Sequence, residues 1–181
     1  RSVPGYAFLI ENIGFIAKKF YQRNTNIYDL GSSLCACSLS VQDKIQNING
    51  NIYAVDSSPS MIDECKKNID NKKIKLINSD IASINIENSS VIILNLTLQF
   101  IPKDRRTRLL KNFFDNLNKH GVIIITEKII IAEIDNNKFS KNFHDFFKEN
   151  KGYSKEEIDR KKIALENVML LESEKQYEER F

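Results

Sequence analysis

The sequence predicts an α/β protein: a parallel sheet with helices on both faces. Three observations carry this. Five short, β-branched apolar runs recur before residue 130, namely "NIYDLG" (26–31), "NIYAVD" (51–56), "KIKLIN" (73–78), "SVIILNL" (90–96) and "GVIIITEK" (121–128). Most are nearly continuous hydrophobes, as expected of strands covered on both faces. Helical patterns separate them, and that alternation marks parallel βα units. A chain of 181 residues holds one core and is too short for two.

Each element has its own signal. In "GYAFLIENIGFIAKKFYQ", Leu9, Ile13, Ile16 and Phe20 fall on one face of an amphipathic helix. In "SPSMIDECKKNI", Pro59 is placed for a first helical turn. "PKDRRTRLLKNFFDNL" sets Leu109, Phe113 and Leu117 in one stripe, and its basic start, "KDRRTR" (103–108), reads as a solvated helix terminus. After residue 130 the strands end. "KFSKNFHDFFKENKGYSKEEIDRKKIALENVML" reads as two helices broken at Gly152, with "FHDFF" as core packing. Ser154 with Glu157, and Ser173 with Gln176, form capping boxes that start helices. The chain starts at Arg1 and stops at Phe181 inside a helical pattern. The expectation is a single domain, 1–181, that lacks residues at both ends. An exposed apolar edge on the fifth strand, and poor solubility with it, would follow.

Composition narrows the classes. Apolar content of 41% and charge of 28% are ordinary for a globular protein. A net charge of +3 gives no reason to invoke direct nucleic-acid binding. No run approaches the roughly 18 apolar residues of a membrane helix. Cys35, Cys37 and Cys65 form no paired framework, which fits a reducing, cytoplasmic setting. They also provide no four-ligand metal set, and read as small buried residues.

In an open parallel sheet, ligands bind beyond the carboxyl ends of the strands. The residues there are Gly31, Ser32 and Ser33, then Asp56 with Ser57, Asp80 with Ile81, and Asn95. Gly31 allows a sharp turn and a close backbone approach. Asp56 is placed to accept hydrogen bonds from both hydroxyls of a ribose. Asp80 lies where an adenine edge would be, and Asn95 both donates and accepts. The loop is poor in glycine and no basic residue waits for a pyrophosphate, which argues against NAD and ATP. S-adenosyl-L-methionine has no phosphate; it needs a glycine turn, a ribose acid and an adenine acceptor. His144 in "FHDFF" reads as a partly packed helix histidine.

Six segments, "RSVPGY" (1–6), "YDLGSSL" (28–34), "LNLTLQF" (94–100), "TEKI" (126–129), "GYS" (152–154) and "LENVML" (165–170), resemble the carboxy-S-adenosyl-L-methionine synthase family along nearly the whole chain. The resemblance implies a Rossmann-like, seven-stranded class I methyltransferase fold. The last two strands would follow Phe181. It also implies a homodimer that uses prephenate and S-adenosyl-L-methionine to make carboxy-S-adenosyl-L-methionine, releasing phenylpyruvate. A separate tRNA carboxymethyltransferase then uses the product on wobble uridines. By motif, Tyr6 would contact the cofactor and Gly31, Ser32 and Ser33 its amino-acid part. Asp56 and Ser57 would hold the ribose, Asp80 and Ile81 the adenine, and Asn95 would lie by the sulfonium.

Two departures stand out. The family's carboxylate-clamping arginine is Lys162 here, which keeps the charge and loses the bidentate fork. The family loop, roughly Gly-Cys-Ser-x-Gly, reads Gly31-Ser32-Ser33-Leu34-Cys35. If the last position needs positive φ, cysteine there costs on the order of 1 kcal/mol or more. The alternatives are an ordinary S-adenosyl-L-methionine-dependent methyltransferase and a degenerate, non-catalytic cofactor-binding subunit.

Overall fold

A computed structural model describes residues 3–70, 72–131, 134–166 and 168–180. Arg1 and Ser2 of "RSVPGY", the asparagine of "LENVML" and the terminal Phe181 lie outside the described residues.

Helix α1 (Tyr6–Phe20) leads into strand β1 (Asn26–Leu30). Then follow α2 (Ala36–Lys44), β2 (Ile52–Asp56), α3 (Pro59–Asn68), β3 (Ile74–Asn78), β4 (Ser89–Asn95), α4 (Lys103–Asp115) and β5 (Leu117–Thr126). Beyond them lie β6 (Ile129–Ile130), α5 (Ile134–Asn150), α6 (Lys155–Glu166), β7 (Glu172–Ser173) and α7 (Glu174–Glu178). The main sheet runs β3-β2-β1-β4-β5, all parallel. The order reverses between β1 and β4, so the crevice for a ligand opens above β1.

Side-chain alternation divides the core. Ile27, Ile52, Ala54, Val91 and Ile93 face α1, α2 and α3 with Ile13, Ala17, Val41 and Cys65. Tyr28, Leu30, Val55, Ile92 and Leu94 face α4 with Leu109, Leu110 and Phe113. At 25 cal/mol per Å², each fully buried Ile or Leu contributes roughly 1.5–3 kcal/mol, so the central strands anchor the fold. Gly14 lets α1 lie directly on α2: a Cβ there would meet Ser40 Oγ at 2.4 Å.

Several expectations need correction. Ile16 is exposed; Ala17 takes its place on the buried face of α1. Leu117 belongs to β5, where it pairs with Ser89, because α4 ends at Asp115. The edge strands are only half-covered: β3 is buried at Ile74 alone and β5 at Ile124 alone. Strands do not end at residue 130, since β6 and β7 pair in parallel. In "FHDFF", Phe143 and Phe146 are exposed, so that motif is not core. In "KDRRTR", Arg106 is wholly buried. Its guanidinium donates to Glu172 Oε2 at 2.6 Å, to Leu170 O at 2.6 Å and to Ile101 O at 2.9 Å. Arg180 grips both Glu172 oxygens, at 2.6 and 2.7 Å.

Other readings hold. Pro59 opens α3. Gly152, at φ 86°, separates α5 from α6. Both capping boxes form, Ser154 with Glu157 and Ser173 with Gln176.

Candidate functional site

A cavity of about 570 Å³ opens at the carboxyl edge of the sheet, where the strand order reverses. Tyr6, Gly31, Ser32, Ser33, Asp56, Ser57, Asp80, Ile81 and Asn95 all line it. Lys162 does not; it sits on α6, half exposed, with Nζ 2.6 Å from Asp145 and 3.6 Å from Asp159.

The loop after β1 is shaped by three left-handed residues: Gly31 (φ 77°), Ser33 (φ 47°) and Cys35 (φ 60°). Cysteine therefore occupies the position for which positive φ is costly, and it starts α2. Its side chain is fully buried, with Sγ 3.0 Å from Cys65 Sγ. The loop amides are already engaged. Gly31 and Ser32 donate to Val55 O at 2.8 and 2.9 Å, and Ser33 donates to Asp56 Oδ2 at 2.8 Å. Amides tied to β2 are not free to cradle a phosphate, which agrees with the sequence-based preference for a ligand without one.

Asp56 serves two purposes. Its second oxygen accepts from Ser58 N at 2.9 Å, so the carboxylate holds both loops in place. Two bonds leave acceptor capacity for ribose hydroxyls, because a carboxylate has about four lone-pair sites. Asp80 accepts from Ala82 N at 2.8 Å, which orients it at the end of β3. Asn95 Oδ1 accepts from Thr126 Oγ1, fixing the amide at the end of β4.

The structure adds lining residues that the strand-tip rule missed: Asp29, Thr97, Gln99 and Phe100 among them. Asp29 is the acid of "YDLG". It is buried and accepts from Ser38 N at 3.0 Å and Ser38 Oγ at 2.6 Å. Burial pushes its carboxyl up to about 6, against the pull of the Ser38 bonds. Thr97 Oγ1 donates to Leu30 O at 3.0 Å and fills the space over Gly31. Gln99 Oε1 is buried and has no hydrogen-bond partner among the described residues. The turn carrying these side chains is held by Glu127, which accepts from the amides of Thr97, Leu98 and Gln99 at 2.9, 2.6 and 3.1 Å. Burial pushes the Glu127 carboxyl up to about 7 in spite of those three donors. The legible signals were "YDLG" and "LTLQF"; their partners were not.

Among the described residues no group of His, Cys, Asp and Glu is arranged to hold a metal ion. Nor is any helix of those residues long and apolar enough to cross a membrane.

These residues suit an adenosyl amino acid. Carboxylates stand at successive strand tips, a buried acid and an unpartnered carbonyl line the rest of the cavity, and among the described residues no Lys or Arg lines it. Fold and site are those of an S-adenosyl-L-methionine-using transferase. A family model described as a methyltransferase domain matches residues 27–121. Two solved plantazolicin methyltransferases, BpumL and BamL, each in complex with SAH, share the fold. Their TM-scores are 0.69 and 0.64 at 15% and 16% identity, over 97% and 96% of this chain and 61% and 58% of theirs.

Sequence relatives narrow the class. The chain is 42% identical to carboxy-S-adenosyl-L-methionine synthase of Citrifermentans bemidjiense, over 99% of this chain and 76% of that protein. It is 40% identical to the Vibrio campbellii protein of the same name, over 100% and 76%. The chain belongs to the carboxy-S-adenosyl-L-methionine synthase family.

Proposed function

We propose that the chain converts S-adenosyl-L-methionine and prephenate to carboxy-S-adenosyl-L-methionine, phenylpyruvate and water. The observation that carries this reading is the convergence of the motif-derived positions Tyr6, Gly31–Ser33, Asp56–Ser57, Asp80–Ile81 and Asn95 on one cavity, in a chain about 40% identical to synthases of that name.

When bound, the cofactor supplies the sulfonium-activated carbon that receives the carboxyl group. The chain's own residues hold and orient it. Asp56 with Ser57 takes the ribose, and Asp80 with Ile81 the adenine. Gly31, Ser32 and Ser33 form the turn beneath the amino-acid part, where Asp29 faces the ammonium. A cationic partner there lowers the carboxyl pKa and repays part of its desolvation. Asn95, held by Thr126, lies beside the reacting centre. Lys162 is the proposed carboxylate clamp. Its ammonium rests on Asp145, so clamping requires it to exchange that partner for the ligand.

The wider reading has a homodimer in the cytoplasm whose product serves a tRNA carboxymethyltransferase. The exposed aromatic face of α5, Phe139, Phe143 and Phe146, supports self-association, and three free cysteines suit a reducing compartment.

Mass spectrometry of ligand carried through purification tests the reading. Carboxylated cofactor is the expected result, and incubation with prephenate should release phenylpyruvate. Plain cofactor with no such release would instead indicate an ordinary methyltransferase, a reading favoured by the position of Lys162 outside the cavity lining. Neither form bound would indicate a non-catalytic subunit, a reading favoured by the strained Cys35. Lys162→Arg should increase retention of the carboxylated form; unchanged retention removes Lys162 from the clamp.

A further inference from the structure

Cys35 stands at φ 60°, where a residue with a Cβ is disfavoured, and its side chain is fully buried. A strained backbone persists only where its surroundings hold it, and such positions gather at functional sites. Cys35 is met by a second thiol. Its Sγ lies 3.0 Å from Sγ of Cys65 on α3, which is also buried. That separation is about 1 Å longer than a disulfide bond. The third cysteine, Cys37, lines the cavity instead.

The thiol pair is bonded to the cofactor turn. Cys65 Sγ donates to Ser33 O at 3.3 Å, and Cys35 N donates to Ser32 O at 2.7 Å. Cys35 Sγ also reaches Ser32 Oγ at 3.9 Å. Ser32 and Ser33 line the cavity, and Ser33 N is one of the two donors that fix Asp56. Sulfur chemistry here therefore acts on the turn. The chain neighbours Ser33, Leu34, Glu64 and Lys66 are exposed, so a local opening at the start of α2 uncovers the thiols without unfolding the sheet.

We infer that Cys35 and Cys65 are a reversible redox modification site: a small-molecule disulfide such as oxidised glutathione converts them to an intrachain disulfide, and that bond weakens cofactor binding. The effect on binding rests on the cofactor site assigned above; the cross-link does not. One protein thiolate attacks the glutathione disulfide and forms a mixed disulfide. The glutathione thiolate that leaves takes up the proton the attacking thiol gave away. The second protein thiol, deprotonated in turn, displaces the other glutathione. Two protein S–H bonds and the glutathione S–S bond break; one protein S–S bond and two glutathione S–H bonds form. Two electrons pass from the protein to glutathione. Closure removes the Cys65 proton, so Ser33 O loses that donor, and it brings the two sulfurs together by about 1 Å. Both changes displace the turn that carries Ser32 and Ser33. Burial, and after it the neighbouring Cys65, pushes the Cys35 thiol up, so its thiolate is scarce and exchange is slow. The equilibrium, not the rate, is the quantity to read.

The test equilibrates the full chain in glutathione redox buffers, with and without S-adenosylhomocysteine, followed by acid quenching, alkylation and peptide mass mapping. The expected product has lost two hydrogen atoms and yields a cross-linked Cys35–Cys65 peptide. By calorimetry the oxidised chain should bind S-adenosylhomocysteine at least about fivefold more weakly than the reduced chain. Linkage then requires saturating S-adenosylhomocysteine to shift the thiol–disulfide equilibrium toward the thiols by the same factor. Cys65→Ala and Cys35→Gly, the latter suited to φ 60°, should form no such cross-link and should bind S-adenosylhomocysteine equally in reducing and oxidising buffer. Absence of the cross-link in the parent, or pairing of either cysteine with Cys37, overturns the inference. So does weakened binding on oxidation of Cys65→Ala, which would assign the effect to another thiol. A Cys35–Cys65 bond with unchanged S-adenosylhomocysteine affinity overturns the coupling. A reduced parent that does not bind S-adenosylhomocysteine overturns the reading of the cavity and the coupling with it, while the mapped cross-link stands.

Discussion

Replacing Gly31 by alanine probes the turn that shapes the cavity. Gly31 sits at φ 77°, and an added Cβ would lie 2.4 Å from Thr97 Oγ1 and 2.6 Å from Thr97 Cγ2. The left-handed backbone costs an alanine about 1–2 kcal/mol. Overpacking against Thr97 adds typically 1–3 kcal/mol. Moving Thr97 aside also breaks its bond to Leu30 O, worth roughly 1 kcal/mol. Gly31→Ala should therefore lose about 3–6 kcal/mol in urea unfolding, a large fraction of a domain's usual stability. Thr97→Ala removes Oγ1 and Cγ2 but keeps the Cβ, which lies 3.1 Å from the new atom. It relieves most of the steric part and none of the backbone part. The bond to Leu30 O is lost in both single variants but only once in the double, so the double variant should recover about 2–4 kcal/mol relative to additivity, while S-adenosylhomocysteine binding stays impaired. A double-mutant cycle with coupling below about 0.5 kcal/mol, the usual error of additivity, would show that Thr97 does not pack on Gly31.

Asp29 makes a signed pH prediction. Its folded pKa, about 6, stands above the ordinary 3.8. Its stabilising contribution is thus complete below about pH 3.8 and lost as pH rises through 6. The loss is about 3 kcal/mol at 1.36 kcal/mol per unit. In Asp29→Asn the amide oxygen can still accept from Ser38 but cannot ionise. Between pH 4 and 7 that variant should therefore lose about that much less stability than the parent; parallel curves would contradict the burial argument. Asp56→Asn sets an amide against the Ser33 and Ser58 N–H donors and should weaken S-adenosylhomocysteine about tenfold by calorimetry, with unchanged affinity as the contrary result. Arg106→Met should cost about 3 kcal/mol, the low end for a broken buried pair, because Arg180 still neutralises Glu172. Faster proteolysis around residues 168–172 is the readout, and unaltered protection would show that Arg106 does not hold Leu170 and Glu172 in place.

The central strands were legible because parallel strands covered on both faces are apolar almost without interruption, and the half-covered edge strands showed by their β-branched residues, so each run and its tip stand out. The positions of Asp56, Asp80 and Asn95 followed from counting to the end of a run. Polar partnerships were less legible. Arg106 looked like any surface arginine in "KDRRTR", and its partner Glu172 lies 66 residues away. Phe143 and Phe146 looked like core because hydrophobic spacing marks a face without saying what covers it. Cys35 was a conditional cost until the backbone showed φ 60°.

By itself the sequence determined the βα alternation and the strand tips, since these depend on local periodicity and on residue type. Only the tertiary structure decided which carboxylates are spent on backbone amides and which arginine is buried. Those depend on through-space distances and desolvation between residues far apart in the chain, which no local pattern encodes.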